Sequence, residues 1–195
     1  MLKAYEIIYY ISILIWLLPP VRQYKGKFFF FFLALAIVDP FSLLLFLFHQ
    51  ELPVFVYLYF NLIRLLSLIP WEYITRYKYY ILVPFLFLTI PEIVGVNIEF
   101  FLILESFVSF LIFLFLLTDF VFEYVNYRTI NMGLFILMLF ELTTILKIMN
   151  IIFGFTNATL YYITTTLFQN SIGIIFILYK VESPKFKISL RRSTS

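Results

Sequence analysis

Long apolar stretches, each about the length of a membrane-spanning helix, alternate along the chain with short polar connections. A bilayer core of about 30 Å requires roughly 20 apolar residues in a helix. By that length the sequence divides into seven predicted spans, at residues 4–19, 28–48, 52–70, 79–95, 99–121, 131–153 and 157–180. Prolines and glycines mark the connections between them. The pattern therefore predicts an all-α, polytopic membrane protein, a seven-transmembrane-helix bundle.

The basic residues fall almost entirely on one predicted face of the membrane. Eleven Lys and Arg residues lie in the connections and the tail on that face, whereas only Lys3 lies on the other. An excess of Lys and Arg is typical of cytoplasmic loops. We therefore expect the N-terminus outside and the C-terminus in the cytoplasm. Residues 1–181 form the predicted transmembrane domain and 182–195 a short basic cytoplasmic tail, and the expected location is the bacterial inner membrane.

The composition agrees with a membrane protein and excludes several kinds of site. Hydrophobic residues make up 64% of the chain and charged residues only 13%, whereas about 25% are charged in a soluble domain. Because there is no cysteine and His49 is the single histidine, disulfides, thiolate chemistry and multi-histidine metal sites are excluded. We predict no metal and no cofactor. The net charge of +3 follows from the basic loops and does not indicate nucleic-acid binding.

One carboxylate lies near the midpoint of the second span, in the stretch LALAIVDPFSLLLFLFH. It belongs to Asp39, which Pro40 follows directly. A charge at the bilayer centre costs at least ~2.5–3.5 kcal/mol on insertion scales, and proline removes a backbone hydrogen-bond donor. We therefore expect Asp39 to face the interior of the bundle, at a kink.

Other spans also carry polar residues at membrane depth. Tyr57, Asn61 and Arg64 have the spacing of a single helical face. The candidate cluster in the bundle interior, a ligand site or an ion-pair network, comprises Asp39, Asn61, Arg64, Glu105, Glu141, Lys147, Gln169 and Asn170.

Depth in the membrane predicts which of these charges pair. Glu105 and Lys147 both lie about 9 Å below the same surface, at 1.5 Å per residue, and form a predicted ion pair. Arg64 lies nearest in depth to Glu141 and Asp39. Its five donors allow it to bind both carboxylates, or one carboxylate together with Asn61.

The polar residues allow two interpretations. Polar groups in membrane bundles often only hold helices together, contributing on average ~0.6 kcal/mol, and this interpretation is favoured for the threonines and Ser109. Full charges such as Asp39, Arg64, Glu141 and Lys147 favour a functional cavity or a switch, because contact between helices rarely needs them. A closed structural ion-pair network remains the competing interpretation.

No catalytic motif is present. The sequence contains no GxSxG, HExxH, P-loop or GxGxxG pattern. An intramembrane aspartyl protease needs two aspartates on neighbouring helices, and the only other one, Asp119, falls at the cytoplasmic end of the fifth span. Retinal binding needs a lysine within the seventh span, which has none before Lys180. The sequence therefore favours a protein that is not an enzyme.

Four stretches together carry a likeness to a known family: LLPPVRQYKGK in the first connection, ILESFVSFLIFLFLL in the fifth span, and INMGLFILMLF and LYYITTTLFQNSIGIIF in the last two. In these stretches and in its layout the chain resembles small seven-span membrane proteins of Bacteroidota, which are similar to the membrane sensor portions of some histidine kinases. The family usually has an aromatic residue before the Asn-x-Gly of the sixth span, where this chain has Arg128-Thr129-Ile130. The resemblance implies a sensory or accessory bundle without its own output domain, and it supplies no catalytic residues.

The leading hypothesis is a sensory or accessory membrane module with a partly polar interior. Its expected partners are the lipid bilayer and a membrane or signalling protein, and its ligand is not specified. The alternatives are a small-solute or proton-coupled transporter that uses Asp39, Arg64, Glu141 and Lys147, and a structural subunit of a larger membrane complex.

Overall fold

The computed structural model describes residues 4–49, 54–77, 98–154 and 157–189, and helices account for most of these ranges. They are α1 (Ala4–Trp16), α2 (Pro19–Gln23), α3 (Phe29–His49), α4 (Val54–Leu68), α5 (Trp71–Arg76), α6 (Ile98–Tyr127), α7 (Met132–Phe153) and α8 (Ala158–Leu178). Two short strands, β1 (Thr129–Asn131) and β2 (Lys187–Ser189), pair antiparallel. A 3₁₀ turn at Pro184–Phe186 leads into β2.

Four of the helices, α3, α6, α7 and α8, are long and apolar enough to cross a membrane. The apolar helix α4 is shorter. Large apolar side chains project outward from the bundle, including Leu14, Leu47, Phe48, Phe107 and Leu167. Apolar patches of this extent mark surfaces that contact lipid or another protein. The protein is therefore all-α and of the membrane-associated class.

Six of the predicted spans overlap described helices. The first, second, third, fifth, sixth and seventh correspond to α1, α3, α4, α6, α7 and α8. The fourth, at residues 79–95, lies outside the described residues.

The six longer helices form a closed ring. Each of α1, α3, α4, α6, α7 and α8 contacts the next in this order, and α8 returns to contact α1. The last contact is close at Gly173 of α8, where an added Cβ would lie 2.8 Å from Ile15 Cγ2. The small residue therefore allows the two helices to approach each other.

A layer of aromatic side chains fills the middle of the ring. Phe31, Phe32 and Phe176 are completely buried, and the rings of Phe32 and Phe176 lie 5.0 Å apart. Trp16 packs on Phe140 with ring centroids 4.9 Å apart. Phe31 and Phe32 belong to the run of five phenylalanines from Phe28 to Phe32, and they lie at the centre of the core.

Beyond this layer, hydrogen bonds close the end of the bundle that carries most of the described basic residues, here called the basic end. Gln23 Nε2 donates to the carbonyl of Tyr179 (3.0 Å), and Gln23 Oε1 accepts from the Val181 amide (3.3 Å). Asn131 caps α7, where its Oδ1 accepts from the amides of Gly133 and Leu134. These buried amide side chains supply partners for backbone groups that helix ends leave free.

Candidate functional site

A cavity of about 690 Å³ lies within the ring, and all six of its helices contribute lining residues. Leu102 and Glu105 come from early in α6, Lys147 and Ile151 from late in α7, and Tyr162 from early in α8. Because these consecutive helices alternate in direction, the residues belong to the same end of the bundle, opposite the basic end. A concave, mostly apolar cavity of this size with a few convergent polar groups is typical of a small-molecule site.

Six of the eight candidate residues from the sequence line this cavity. They are Asp39, Asn61, Arg64, Glu105, Lys147 and Gln169. Glu141 and Asn170 are buried outside its lining. The predicted face of α4 is correct, since Tyr57, Asn61 and Arg64 all line the cavity.

Arg64, the charged residue of α4, binds side chains of α7 and of its own helix. Its Nη2 donates to Glu141 Oε1 in a buried ion pair, and its Nη1 donates to Asn61 Oδ1 at 2.5 Å. The guanidinium also lies over the rings of Phe31 and Phe140, at 4.8 and 5.5 Å from their centroids. Of the two arrangements that the sequence allowed, the structure adopts one carboxylate together with Asn61.

Asn61 links this ion pair to α6. Its Nδ2 donates to Glu105 Oε1 at 3.3 Å and approaches Ser109 Oγ at 3.5 Å. Its Oδ1 meanwhile accepts from Arg64. The amide side chain therefore joins the guanidinium to a second carboxylate and fixes α4 against α6 as well as α7.

Asp39 lies at the wall of the cavity among tyrosines, as its expected inward position requires. Tyr57 donates to Asp39 Oδ1 at 3.3 Å, and Tyr9 donates to the Asp39 carbonyl at 3.3 Å. Helix α3 continues through Pro40 to His49. Asp39 does not pair with Arg64, whose Nη1 and Nη2 donate to Asn61 and Glu141 instead.

The predicted ion pair between Glu105 and Lys147 is wrong. Lys147 Nζ donates to Thr166 Oγ1 of α8 at 3.2 Å and lies 4.0 Å from the centroid of the Tyr162 ring. It remains within electrostatic reach of Asp39 and Glu105 but not within salt-bridge distance. Equal depth fixed only the position along the bundle axis, whereas the rotation of α7 turns the ammonium towards α8.

Other polar residues hold helices together, as one interpretation of the sequence proposed. Gln169 Nε2 donates to the hydroxyls of Thr143 and Thr144, and so bridges α8 to α7. Both threonine hydroxyls in turn donate to the Phe140 carbonyl. Asn170 is buried, and its Oδ1 has no hydrogen-bond partner among the described residues.

Several residues of the cavity wall escaped the sequence analysis. Glu6, Tyr9 and Tyr10 of α1 line the cavity, as do Trp16 and Tyr162. Tyrosine and tryptophan near helix ends are ordinary features of membrane interfaces, so their types alone gave no signal. The spacing of Glu6, Tyr9 and Tyr10 is compatible with a single helical face and was the one available indication.

The arrangement can bind a small solute through charge, hydrogen bonds and aromatic faces. Within the described ranges no three His, Asp or Glu side chains are placed to hold a metal ion. Comparisons of the chain with known protein families, with curated proteins and with solved structures give no match.

Proposed function

We propose that this protein is a sensory or accessory module of the bacterial inner membrane, which binds a small solute in its bundle cavity and acts through a partner protein. The observation that carries the proposal is the asymmetry of the bundle. One half holds a cavity with charged residues in its wall, and the other half is filled by aromatic rings and closed by buried hydrogen bonds. A site with one closed end suits a receptor.

The proposed topology has seven spans, with the N-terminus outside and the C-terminus in the cytoplasm. The support for this topology is the Lys and Arg bias of the connections. Within the described ranges, the basic residues near the basic end include Arg22, Lys25, Lys27 and Lys180. In this orientation the basic end faces the cytoplasm and the cavity lies towards the outside. A solute on the outer side then has the shorter route to the charged wall.

The closed end also explains how binding would reach a partner. Arg64 connects the cavity wall to Glu141 and, through its ring contacts, to the aromatic layer. Beyond this layer lie Gln23 and the paired strands β1 and β2. If Arg64 shifts when a solute binds, the aromatic layer that it contacts would repack. This would change the arrangement of the helices at the basic end, where a cytoplasmic partner would dock.

Solute binding is tested by thermal unfolding of the protein in lipid nanodiscs, with small organic solutes of cationic, anionic, zwitterionic and neutral type. We expect at least one class to raise the melting temperature. Leu102→Trp, which fills the cavity from α6, should abolish this shift, whereas Ile103→Trp on the outward face of the same helix should retain it. A shift that survives Leu102→Trp would show that the solute binds elsewhere.

The same solute distinguishes a sensor from a transporter. In proteoliposomes a sensory module should bind it without net uptake, because the basic end stays closed. Uptake that depends on the protein and is blocked by Leu102→Trp would instead support the transporter alternative and refute the sensory assignment.

The orientation is tested with single cysteines, since the natural chain has none. A membrane-impermeant maleimide applied to intact spheroplasts should label Thr159→Cys, at the start of α8, and should label Lys185→Cys only after lysis. The reverse pattern would overturn the orientation, and labelling of both in intact spheroplasts would overturn the span count.

A further inference from the structure

Among the described residues, carboxylates outnumber cations around the inner part of the cavity. Asp39 and Glu105 line it together with two cations, Arg64 and Lys147. Arg64 is already bound by a third carboxylate, Glu141, outside the lining. A charge without a counter-charge is costly in an apolar environment. Within the part of the cavity wall that the structure describes, positive charge is therefore short beside Asp39 and Glu105.

The deficit is greatest around Asp39. Among the described residues its carboxylate accepts one hydrogen bond, from Tyr57 at 3.3 Å. The nearest cation, Lys147, acts on it only at longer range and is committed to Thr166 and the Tyr162 ring. An ionised carboxylate has about four acceptor positions, so most of those of Asp39 remain for a ligand.

The wall of the cavity is rich in aromatic side chains. Eight of the cavity's lining residues are Phe, Tyr or Trp, namely Tyr9, Tyr10, Trp16, Phe46, Tyr57, Phe60, Phe140 and Tyr162. The faces of aromatic rings attract cations, by about 0.5–2 kcal/mol each depending on desolvation. The cavity already holds one ammonium in this way, that of Lys147 on Tyr162.

From these observations we infer that the solute is an organic monocation, an ammonium group on an apolar body, whose charge binds Asp39. The inference rests on the proposed solute-binding function and specifies the chemical class of the solute. The ammonium supplies the missing counter-charge beside Asp39, and the apolar body covers the mostly hydrocarbon remainder of the wall. For an anionic solute, Lys147 would be the one described cation of the wall that no carboxylate binds, and the solute would also face the carboxylates of Asp39 and Glu105.

Trp16 provides a reporter for this test. The chain has two tryptophans. Trp16 lies at the inner boundary of the cavity, whereas Trp71 is 74% exposed on α5. The variant Trp71→Phe therefore leaves a single tryptophan in the cavity wall, and protection of its fluorescence from acrylamide quenching measures occupancy.

The probes are four compounds with the same 4-phenylbutyl carbon skeleton and different charges: 4-phenylbutylamine, 4-phenylbutyrate, 4-phenylbutanol and the zwitterion 2-amino-4-phenylbutanoic acid. In the Trp71→Phe protein, in nanodiscs of neutral lipid, we expect the amine to bind at least tenfold more tightly than the alcohol. Asp39→Asn should remove this preference and leave the affinity for the alcohol unchanged. The matched control, Asp119→Asn, removes a carboxylate far from the cavity and should retain it.

Each other outcome overturns a different statement. Tightest binding of the carboxylate or the zwitterion would refute the organic-cation assignment and leave solute binding intact. Equal affinities for amine and alcohol, or an amine preference that survives Asp39→Asn, would refute the role of Asp39. Failure of all four compounds to protect Trp16 would contradict both the cation assignment and the proposed binding function.

Discussion

Replacement of Arg64 by methionine should destabilise the bundle strongly, because it leaves Glu141 as a buried carboxylate without a counter-charge. Arg64 is 3% exposed and Glu141 is completely buried. Among the described residues Glu141 Oε2 has no hydrogen-bond partner, and Oε1 accepts from Arg64. The carboxylate therefore depends on the guanidinium. Breaking a buried ion pair by removal of one partner costs about 3–5 kcal/mol, and we expect Arg64→Met to fall in this range.

Glu141→Gln should be milder. The glutamine oxygen can still accept from Arg64, and the guanidinium remains within electrostatic reach of Glu105. A loss of about 1–3 kcal/mol is expected, the cost of weakening a buried hydrogen bond to a charged group. In the double variant neither charge remains, so its loss should be smaller than the sum of the two single losses by about 2 kcal/mol, within the range measured for residues in contact.

The assay is a double-mutant cycle on the free energy of unfolding, measured by reversible SDS titration of the protein in mixed micelles. The exposed pair Lys27 and Asp119 at the basic end is the matched control. Lys27→Met and Asp119→Asn should couple by less than ~1 kcal/mol, as exposed ion pairs do. Additive losses for Arg64→Met and Glu141→Gln, within ~0.5 kcal/mol, would refute a direct contact between the two side chains.

Three further predictions concern backbone positions and use the melting temperature as the measurement. Gly133→Ala should lower the free energy of unfolding by about 1–3 kcal/mol, because the new Cβ would lie 2.5 Å from the Val181 carbonyl oxygen, a backbone atom that cannot rotate away. An unchanged melting temperature would refute this close approach. Gly173→Ala should cost less than Gly133→Ala, because the nearest atom belongs to the side chain of Ile15 and alanine is the better helix former; the opposite order would contradict the packing of α8 on α1. Arg128→Gly should raise the free energy of unfolding by about 1 kcal/mol, since Arg128 has a left-handed φ of 52° that glycine adopts without strain. A lower melting temperature would show that the arginine side chain stabilises the fold by more than the backbone strain costs.

The sequence determined the helices and the inward direction of the charges. Apolar stretches of membrane length form helices because backbone groups in lipid must be satisfied within the segment. The cost of a lipid-facing charge likewise places Asp39, Arg64 and Lys147 inside the bundle, whatever their partners. The spacing of Tyr57, Asn61 and Arg64 needed no tertiary information either, because one turn of an α-helix fixes which residues share a face.

Which polar groups meet depends on how the helices pack against one another. Arg64 and Glu141 are 77 positions apart, and Gln23 and Tyr179 are 156 apart, so no local pattern relates them. Depth predicted one level for Glu105 and Lys147, but the rotation of each helix about its axis sets their partners, which are Asn61 for Glu105 and Thr166 for Lys147. That rotation results from packing over the whole ring, including the aromatic layer. The cavity is the space that this packing leaves, and its wall therefore joins residues from six helices that the sequence keeps apart.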